Sequence, residues 1–290
     1  MALDEEQLRC IGVIGGASLL EKMKLLLRIP TSLLGRMAAI CWHKDREVDA
    51  PLYTGRITSI SDKEGKTREV ALLDYWSQTA LVPLHEWLFS VLRRIPSDGT
   101  FDQGSFRSNL RTKPVGSYHS IDLSAATDRF PVVFQQLLLQ SLLGHEISDA
   151  WRSLLDRPYW SKQLDKWLVY GAGQPMGAYS SWGMFALTHH YVVFCAHKVS
   201  KTPWDPRNYV LLGDDIVIAH DGVAEAYKEL LAVLDVPVSE MKTHVSKDSY
   251  EFAKRWIVAG TEVTPFPVAG LVTASNKIAL LVQYLTDTTR

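Results

Sequence analysis

The sequence predicts an α+β fold, an antiparallel sheet backed by helices, and three features predict it. Leu81, Leu84, Leu88 and Leu92 recur at helical spacing within 75–95, as in a helix with one apolar face. Two pairs of short apolar runs, 52–60 with 66–73 and 209–212 with 216–219, each flank a turn-forming segment, the pattern of a β-hairpin. Helical and strand-type stretches are interleaved with no internal repeat and no low-complexity linker.

The composition suits such a fold. Of 290 residues, 47% are apolar and 22% charged, ample for a large core and unlike a disordered or fibrous chain. Lys and Arg number 31 against 32 Asp and Glu, so there is no global basic field and a polyanion has to be gripped locally. Cys10, Cys41 and Cys195 are odd in number, widely separated and form no CxxC pair. That argues against a disulfide framework or a cysteine zinc site and suits a reducing compartment. The first residues, MALDEEQ, resemble neither an Arg-rich transit peptide nor a secretory signal. The apolar stretch 11–42 is broken by Glu21, Lys22, Lys24, Arg28, Pro30 and Arg36, too often for a bilayer span of roughly 20 residues. A soluble protein is expected.

In chain order, 5–48 reads as helical, followed by the hairpin whose charged turn is 62–65. The helix of 75–95 stops at Pro96 before Ser97-Asp98-Gly99. A short strand is expected at 118–123, then a helix to about 143 and another near 147–155, then an aromatic segment, 160–170. The loop 171–177 contains three glycines and opens a long apolar helix over 179–199 that ends before Pro203. Asp221 is a candidate cap for a helix running to about Leu234. A strand at 256–263, a corner at Pro265 and Pro267 and a last helix from about Ser275 complete the reading.

The chemistry lies in the acids. Asp214 and Asp215 sit at the tip of an apolar hairpin, and Asp122 ends a strand some ninety positions earlier. Two carboxylates about 4 Å apart repel by roughly 4 kcal/mol even at moderate dielectric, so neighbouring acids between buried strands call for a cation. Mg²⁺ suits such a set, because it takes a few carboxylates plus substrate phosphates, and paired ions about 3.5–4 Å apart drive phosphoryl transfer. Taken alone, Gly-Asp-Asp is also a common surface turn.

The ordered series around these acids resembles the mitovirus RNA-dependent RNA polymerases and, more distantly, narnavirus and levivirus replicases. The match runs over about 52–260. Residues 120–131, with Asp122 and Asp128, resemble motif A, which implies that Asp122 binds metal and that Asp128 lies near the incoming ribose. Residues 173–182, continuing to His190, resemble motif B; the resemblance gives Gly173 and Gly177 to a flexible loop and Ser180 or Ser181 to a polar contact with template or nascent pair. Leu212-Gly213-Asp214-Asp215 is similar to motif C and 238–246 to motif D, whose Lys242 is implied as the proton donor to pyrophosphate, help typically worth about 10²–10⁴ in rate. Residues 62–70 resemble motif F, where Lys66 and Arg68 would clamp the triphosphate; 250–256 resemble the segment near the product backbone, which implies Lys254 and Arg255.

The implied architecture is a right-hand polymerase with an antiparallel palm sheet: partial fingers over 1–115, palm over 116–260, and the start of a truncated thumb over 261–290. The motif A strand should pair beside the motif C hairpin. The implied activity is RNA-dependent RNA polymerisation with Mg²⁺ or Mn²⁺, an RNA template, a product strand and ribonucleoside triphosphates, in the mitochondrion. The chain departs from other viral polymerases in having no Asn between Gly173 and Val199 to read the 2′-hydroxyl. The alternative is an endogenised, virus-derived protein that keeps RNA or protein contacts without synthesis. Reverse transcriptases are a weaker match, since Leu212-Gly213 stands where they carry an aromatic and a variable residue.

Blander roles compete with several of these. Asp128 could cap a helix starting near Phe130, and the basic residues could be ordinary solvated charges. His189, His190, Cys195 and His197 share an apolar helix but fit no ordinary zinc spacing, and core packing is favoured over base stacking for Trp151, Tyr159, Trp160 and Trp167.

Overall fold

Turns and caps in the chain set the order of elements. The computed structural model describes residues 5–27, 55–61, 67–264, 268–275 and 277–288. Glu5–Gly15 (α1) and Ala17–Leu27 (α2) part at Gly16, whose positive φ of 80° a side chain would resist. Gly55–Ser61 (β1) and Thr67–Leu73 (β2) form an antiparallel hairpin. Tyr75–Leu92 (α3) starts at Asp74, whose carboxylate accepts from the N–H groups of Trp76 and Ser77. Phe106–Asn109 (α4), Tyr118–Asp122 (β3) and Ala126–Arg129 (α5) follow, then the antiparallel helices Val132–Leu143 (α6) and His145–Leu155 (α7). Tyr159–Ser161 (β4) and Lys166–Leu168 (β5) form a second hairpin, and Ser181–Val199 (α8) the long helix. Tyr209–Leu212 (β6), Asp215–Ile218 (β7) and Asp221–Val233 (α9) precede four short strands: His244–Ser246 (β8), Ser249–Phe252 (β9), Arg255–Val258 (β10) and Thr261–Glu262 (β11). Val268–Ala274 (α10) and Ile278–Thr288 (α11) end the described chain.

The strands make three sheets: β6-β7-β3-β8, β2-β1-β4-β5 and β11-β10-β9. In the first, β3 runs antiparallel to β7, as expected of the motif A strand and motif C hairpin, and the register sets Asp122 opposite Asp215. Side chains alternate between the two faces of a strand. Ile121, Ile216, Ile218 and Leu211 therefore share one face, where they pack on α8 and α9 through Phe185, Val193, Val223 and Tyr227. Tyr118, Val210 and Val217 share the other, beneath Phe106, Tyr250, Phe252 and Ile257. Covered on both faces, the strands leave their polar chemistry at the ends. A separate core joins α1, α3, α7, β2 and β4 through Cys10, Leu81, Leu84, Trp151, Leu73 and Tyr159.

Some boundaries differ from the sequence reading. The reading of 28–48 as helical, Lys66 and the turn 62–65 lie outside the described residues. His220, not Asp221, caps α9: its Nδ1 accepts from the Val223 N–H, while the Asp221 carboxylate accepts from the Ser117 N–H and bonds His119. Asp128 caps nothing, because it lies within α5 and Pro131 precedes α6. The single strand expected over 256–263 is two, turned at Gly260 with φ 77°. The last helix, expected from about Ser275, starts at Ile278, and a further short helix, α10, precedes it.

Arg157 locks α3 to the end of α7. Buried, it donates to Asp74 Oδ2 at 2.9 Å, to Ser77 Oγ at 2.7 Å and to the Leu154 carbonyl at 2.8 Å. Asp74→Ala removes the carboxylate that faces this buried guanidinium and uncaps α3, so it should lower stability by about 3–5 kcal/mol. Urea denaturation reads this as a lower midpoint at unchanged slope; a loss below about 1 kcal/mol would show that the pair does not hold the two helices.

Candidate active site

The turn carrying Asp214 and Asp215 is fixed from below. Gly213 has φ 61°, and a Cβ there would lie 2.3 Å from the Trp182 ring, so glycine alone fits. Its carbonyl accepts from His189 Nδ1 at 2.8 Å, which requires the proton on that nitrogen, and Tyr227 then donates its hydroxyl to Nε2 at 2.6 Å. Burial pushes the His189 pKa down to about 3, so the ring stays neutral and keeps this tautomer. The sequence reading missed His189 and Tyr227 as supports of the turn. The other histidines of this helix have partners within the protein: His190 bonds Tyr209 and Asp98, and His197 bonds the Val193 carbonyl and Asn208.

Asp122 meets a cation. After α9 the chain returns along β3, with the Ser124 N–H on the Pro237 carbonyl at 2.9 Å and the Ser239 N–H on the Asp122 carbonyl at 2.8 Å. The next turn brings Lys242 Nζ to 2.7 Å from Asp122 Oδ2, and that bond raises the lysine pKa above its ordinary value. Asp215 accepts from the Ala253 N–H at 2.6 Å, in the turn between β9 and β10. Desolvation first, then the charges of Asp214, Glu251 and Asp122, push the Asp215 carboxyl up to about 7. Asp214 is exposed at the tip, yet crowding desolvates its carboxyl enough to raise the pKa; Asp122 adds to this, while Lys242 and Arg68 oppose it.

The glycine loop docks by backbone contact. The Gly173 and Gln174 N–H groups donate to the Asp128 and Thr127 carbonyls at 3.0 and 3.1 Å, and a Cβ on Gly173 would sit 2.1 Å from the Thr127 oxygen. Gly177 lies as tightly on β2, where a Cβ would be 2.5 Å from the Ala71 carbonyl. Gln78 of α3, which no motif marked, bridges the loop: it donates to the Gly177 carbonyl at 2.7 Å and accepts from the Tyr179 N–H at 2.8 Å. Asp128 is exposed, with its pKa raised by desolvation, and Tyr170 stands close enough to feel its charge.

Two of the expected contact groups are engaged within the protein in this structure. Ser180 and Ser181 are buried rather than presented to a ligand; Ser180 Oγ accepts from Trp151 Nε1 at 3.0 Å beneath the loop. Arg255 is committed to Glu262, with Nε 2.8 Å from Oε1 across the β10–β11 turn, and stacks over Phe106. Lys254 is exposed in the turn next to Ala253, with φ 62°. Arg68 is exposed on β2 and its charge reaches Asp214.

Asp122, Asp214, Asp215 and Lys242 thus gather at one end of a sheet, with the glycine loop and Arg68 beside them. A family model described as mitovirus RNA-dependent RNA polymerase matches residues 1–290. The chain belongs to this family. It is 42% identical over 204 residues to the RNA-directed RNA polymerase of Cryphonectria parasitica mitovirus 1, covering 69% of this chain and 25% of that protein. It is 41% identical over 180 residues to an uncharacterized mitochondrial protein of Arabidopsis thaliana, covering 58% of this chain and 70% of that one. The chain thus spans a quarter of the viral relative's length. Among solved structures, the RNA-dependent RNA polymerase of a human picorbirnavirus is similar with TM-score 0.57 at 18% identity, over 71% of this chain and 43% of that one. A Candida tropicalis telomerase truncated from its C-terminal domain is similar with TM-score 0.54 at 12% identity, over 76% and 56%. These likenesses show the fold, a polymerase palm.

For this mitovirus-family chain the donor set suits a divalent cation in kind: hard carboxylate oxygens, crowded and partly desolvated. Among the described residues no three His, Cys, Asp or Glu side chains are already arranged to hold an ion. Asp122 faces the Lys242 ammonium and Asp215 the Ala253 N–H. No helix among the described residues is long and apolar enough to cross a membrane. If these acids bind the ion, Mg²⁺ at about ten times its Kd should raise the Tm by about 2–6 °C. Asp122→Asn with Asp214→Asn should abolish that rise, and an equal rise in the double variant would place the ion elsewhere.

Proposed function

We propose that this chain forms the catalytic core of an RNA-dependent RNA polymerase, joining ribonucleotides to an RNA 3′-hydroxyl under the direction of an RNA template. The 3′-hydroxyl gives up its proton to solvent as its oxygen forms a bond to the α-phosphorus of the incoming triphosphate, the bond from that phosphorus to the bridging oxygen breaks, and pyrophosphate leaves. The observation that carries the reading is the register of β3 on β7, which sets Asp122 beside Asp215, next to Asp214, with Lys242 on the same acid. A divalent cation, Mg²⁺ or Mn²⁺, held by Asp122 and Asp214 with Asp215 close by, would neutralise charge on the attacking and leaving oxygens.

The chain's own residues do the rest. Lys242 serves as counter-ion to Asp122 until the phosphates arrive, then gives its proton to the departing pyrophosphate. Arg68, with Lys66 from the same hairpin, neutralises the triphosphate. Asp128 faces the ribose, and the loop held by Gly173 and Gly177 supports the nascent pair. In this assignment 116–260 is the palm, 1–115 part of the fingers and 261–290 the start of the thumb, and Lys254 lies toward the product strand. The mitochondrial relative in Arabidopsis supports a mitochondrial site of action.

A second reading, a virus-derived protein that binds RNA or protein without synthesis, draws on the same uncharacterized mitochondrial relative. Primer extension on a short RNA template with four ribonucleotides and Mg²⁺ separates the two. Template-dependent product should appear with the native chain and vanish in Asp214→Asn; absence of product from folded native protein favours the second reading. Lys242→Ala should lower kcat by about 10²–10⁴ with a smaller change in KM. An unchanged kcat would remove Lys242 from the chemical step.

A further inference from the structure

The sheet β2-β1-β4-β5 has two unlike faces. Pairing of Arg56 with Leu72, Thr58 with Val70 and Ile60 with Arg68 puts these six on one face of β1 and β2. Arg56 also pairs in parallel with Trp160, and Trp160 with Trp167, which adds both rings to that face. The opposite face carries Ala71, Leu73, Ile57 and Tyr159 into the core, and Glu69 lies on that side. The face with the tryptophans therefore holds Arg56 and Arg68 and, among the described residues, no acid at a strand position. Its inner end lies on the glycine loop, since Val70 and Leu72 meet Gly177, and the charge of Arg68 reaches Asp214. Its outer end, three strand spacings or roughly 14 Å away, is the aromatic pair.

The two tryptophans stand edge to face with centroids 5.4 Å apart, and Trp167 is 51% exposed in spite of that contact. An exposed indole one strand beyond the Arg56–Trp160 pair, on a face whose described strand positions carry no acid and whose inner end reaches the charge of Asp214, fits unpaired bases and their phosphates. Every base offers a π-face, and a basic side chain neutralises the backbone. A duplex would conceal those faces.

We infer that the Arg56–Trp160–Trp167 face is a stacking platform for single-stranded RNA on its way to or from the catalytic acids, the bases lying on Trp167 and Trp160 and a phosphate on Arg56. The inference rests on the polymerase reading for the identity of the strand but is tested without synthesis. The full chain, free of nucleotides, is titrated into a fluorescein-labelled oligouridylate of about 12 nucleotides, with anisotropy as the readout. Trp160→Ala and Trp167→Ala should each weaken binding about tenfold, and Trp167→Phe should restore most of it because a ring remains. Arg56→Ala should reduce the slope of log affinity against log salt by about 0.7. Binding of a blunt duplex RNA should be unchanged in Trp167→Ala, so loss of the platform is read separately from a general loss of RNA binding, and no synthesis enters the measurement. Single-strand affinity within twofold of native in both Trp→Ala variants, or an equal loss on the duplex, would overturn the platform. Preference for the oligomer over a primer–template with a 5′ overhang would mark the product strand; the reverse would mark the template.

Discussion

Three carboxylates held together at the end of apolar strands are the constraint on which the rest of the site depends. Asp122 and Asp215 are set opposite each other by the β3–β7 register, and Asp214 adjoins them at the turn. In water they would separate or hydrate; here the strands are pinned on both faces by packed cores, so the repulsion has to be met locally. It is met by Lys242 on Asp122, by the Ala253 N–H on Asp215, and by raised pKa values at Asp214 and Asp215 that favour their neutral forms. Acids held in this way suit a hard divalent cation in the kind of donor they offer.

The backbone around the acids is fixed by neutral polar groups. His189 and Tyr227 lie fully inside the helix layer and hold the Gly213 carbonyl, so the turn is anchored without adding a charge near the acids. On the other side Gln78 ties both sides of Gly177, while Gly173 lies against the backbone of 127 and 128. Through these contacts α3, β2 and the segment after β3 share one loop. Glycine at 173 and 177 allows two backbones to approach where any Cβ would collide.

The β2-β1-β4-β5 sheet extends this arrangement outward. Its inner face completes the core around Tyr159 and Trp151, and its outer face carries two arginines and two tryptophans. Core packing, favoured from the sequence for Trp151, Tyr159, Trp160 and Trp167, holds for the buried Trp151 and Tyr159 and fails for Trp167, which is 51% exposed, while Trp160 is half-buried between them. A strand shows its inward and outward sides by alternation over four or more residues, and β4 and β5 have three each, too few for the pattern to appear.

The sequence by itself determined the elements with long or paired patterns: the leucine spacing of α3, both hairpins carrying charged or acidic turns, the apolar length of α8, and the family motifs containing Asp122, Asp214, Asp215 and Lys242. These are legible because periodicity and short motifs are local. Only the tertiary structure decided that Ser180 turns inward to Trp151, that Arg255 is taken by Glu262, that His220 rather than Asp221 caps α9, and that His189, Tyr227 and Gln78 support the site. Each depends on a partner that local pattern does not single out. The register of β3 on β7, some ninety positions apart in the chain, is set by burial of Ile121 and Ile216 on the helix side, and a slip of one residue would turn Asp122 into the core.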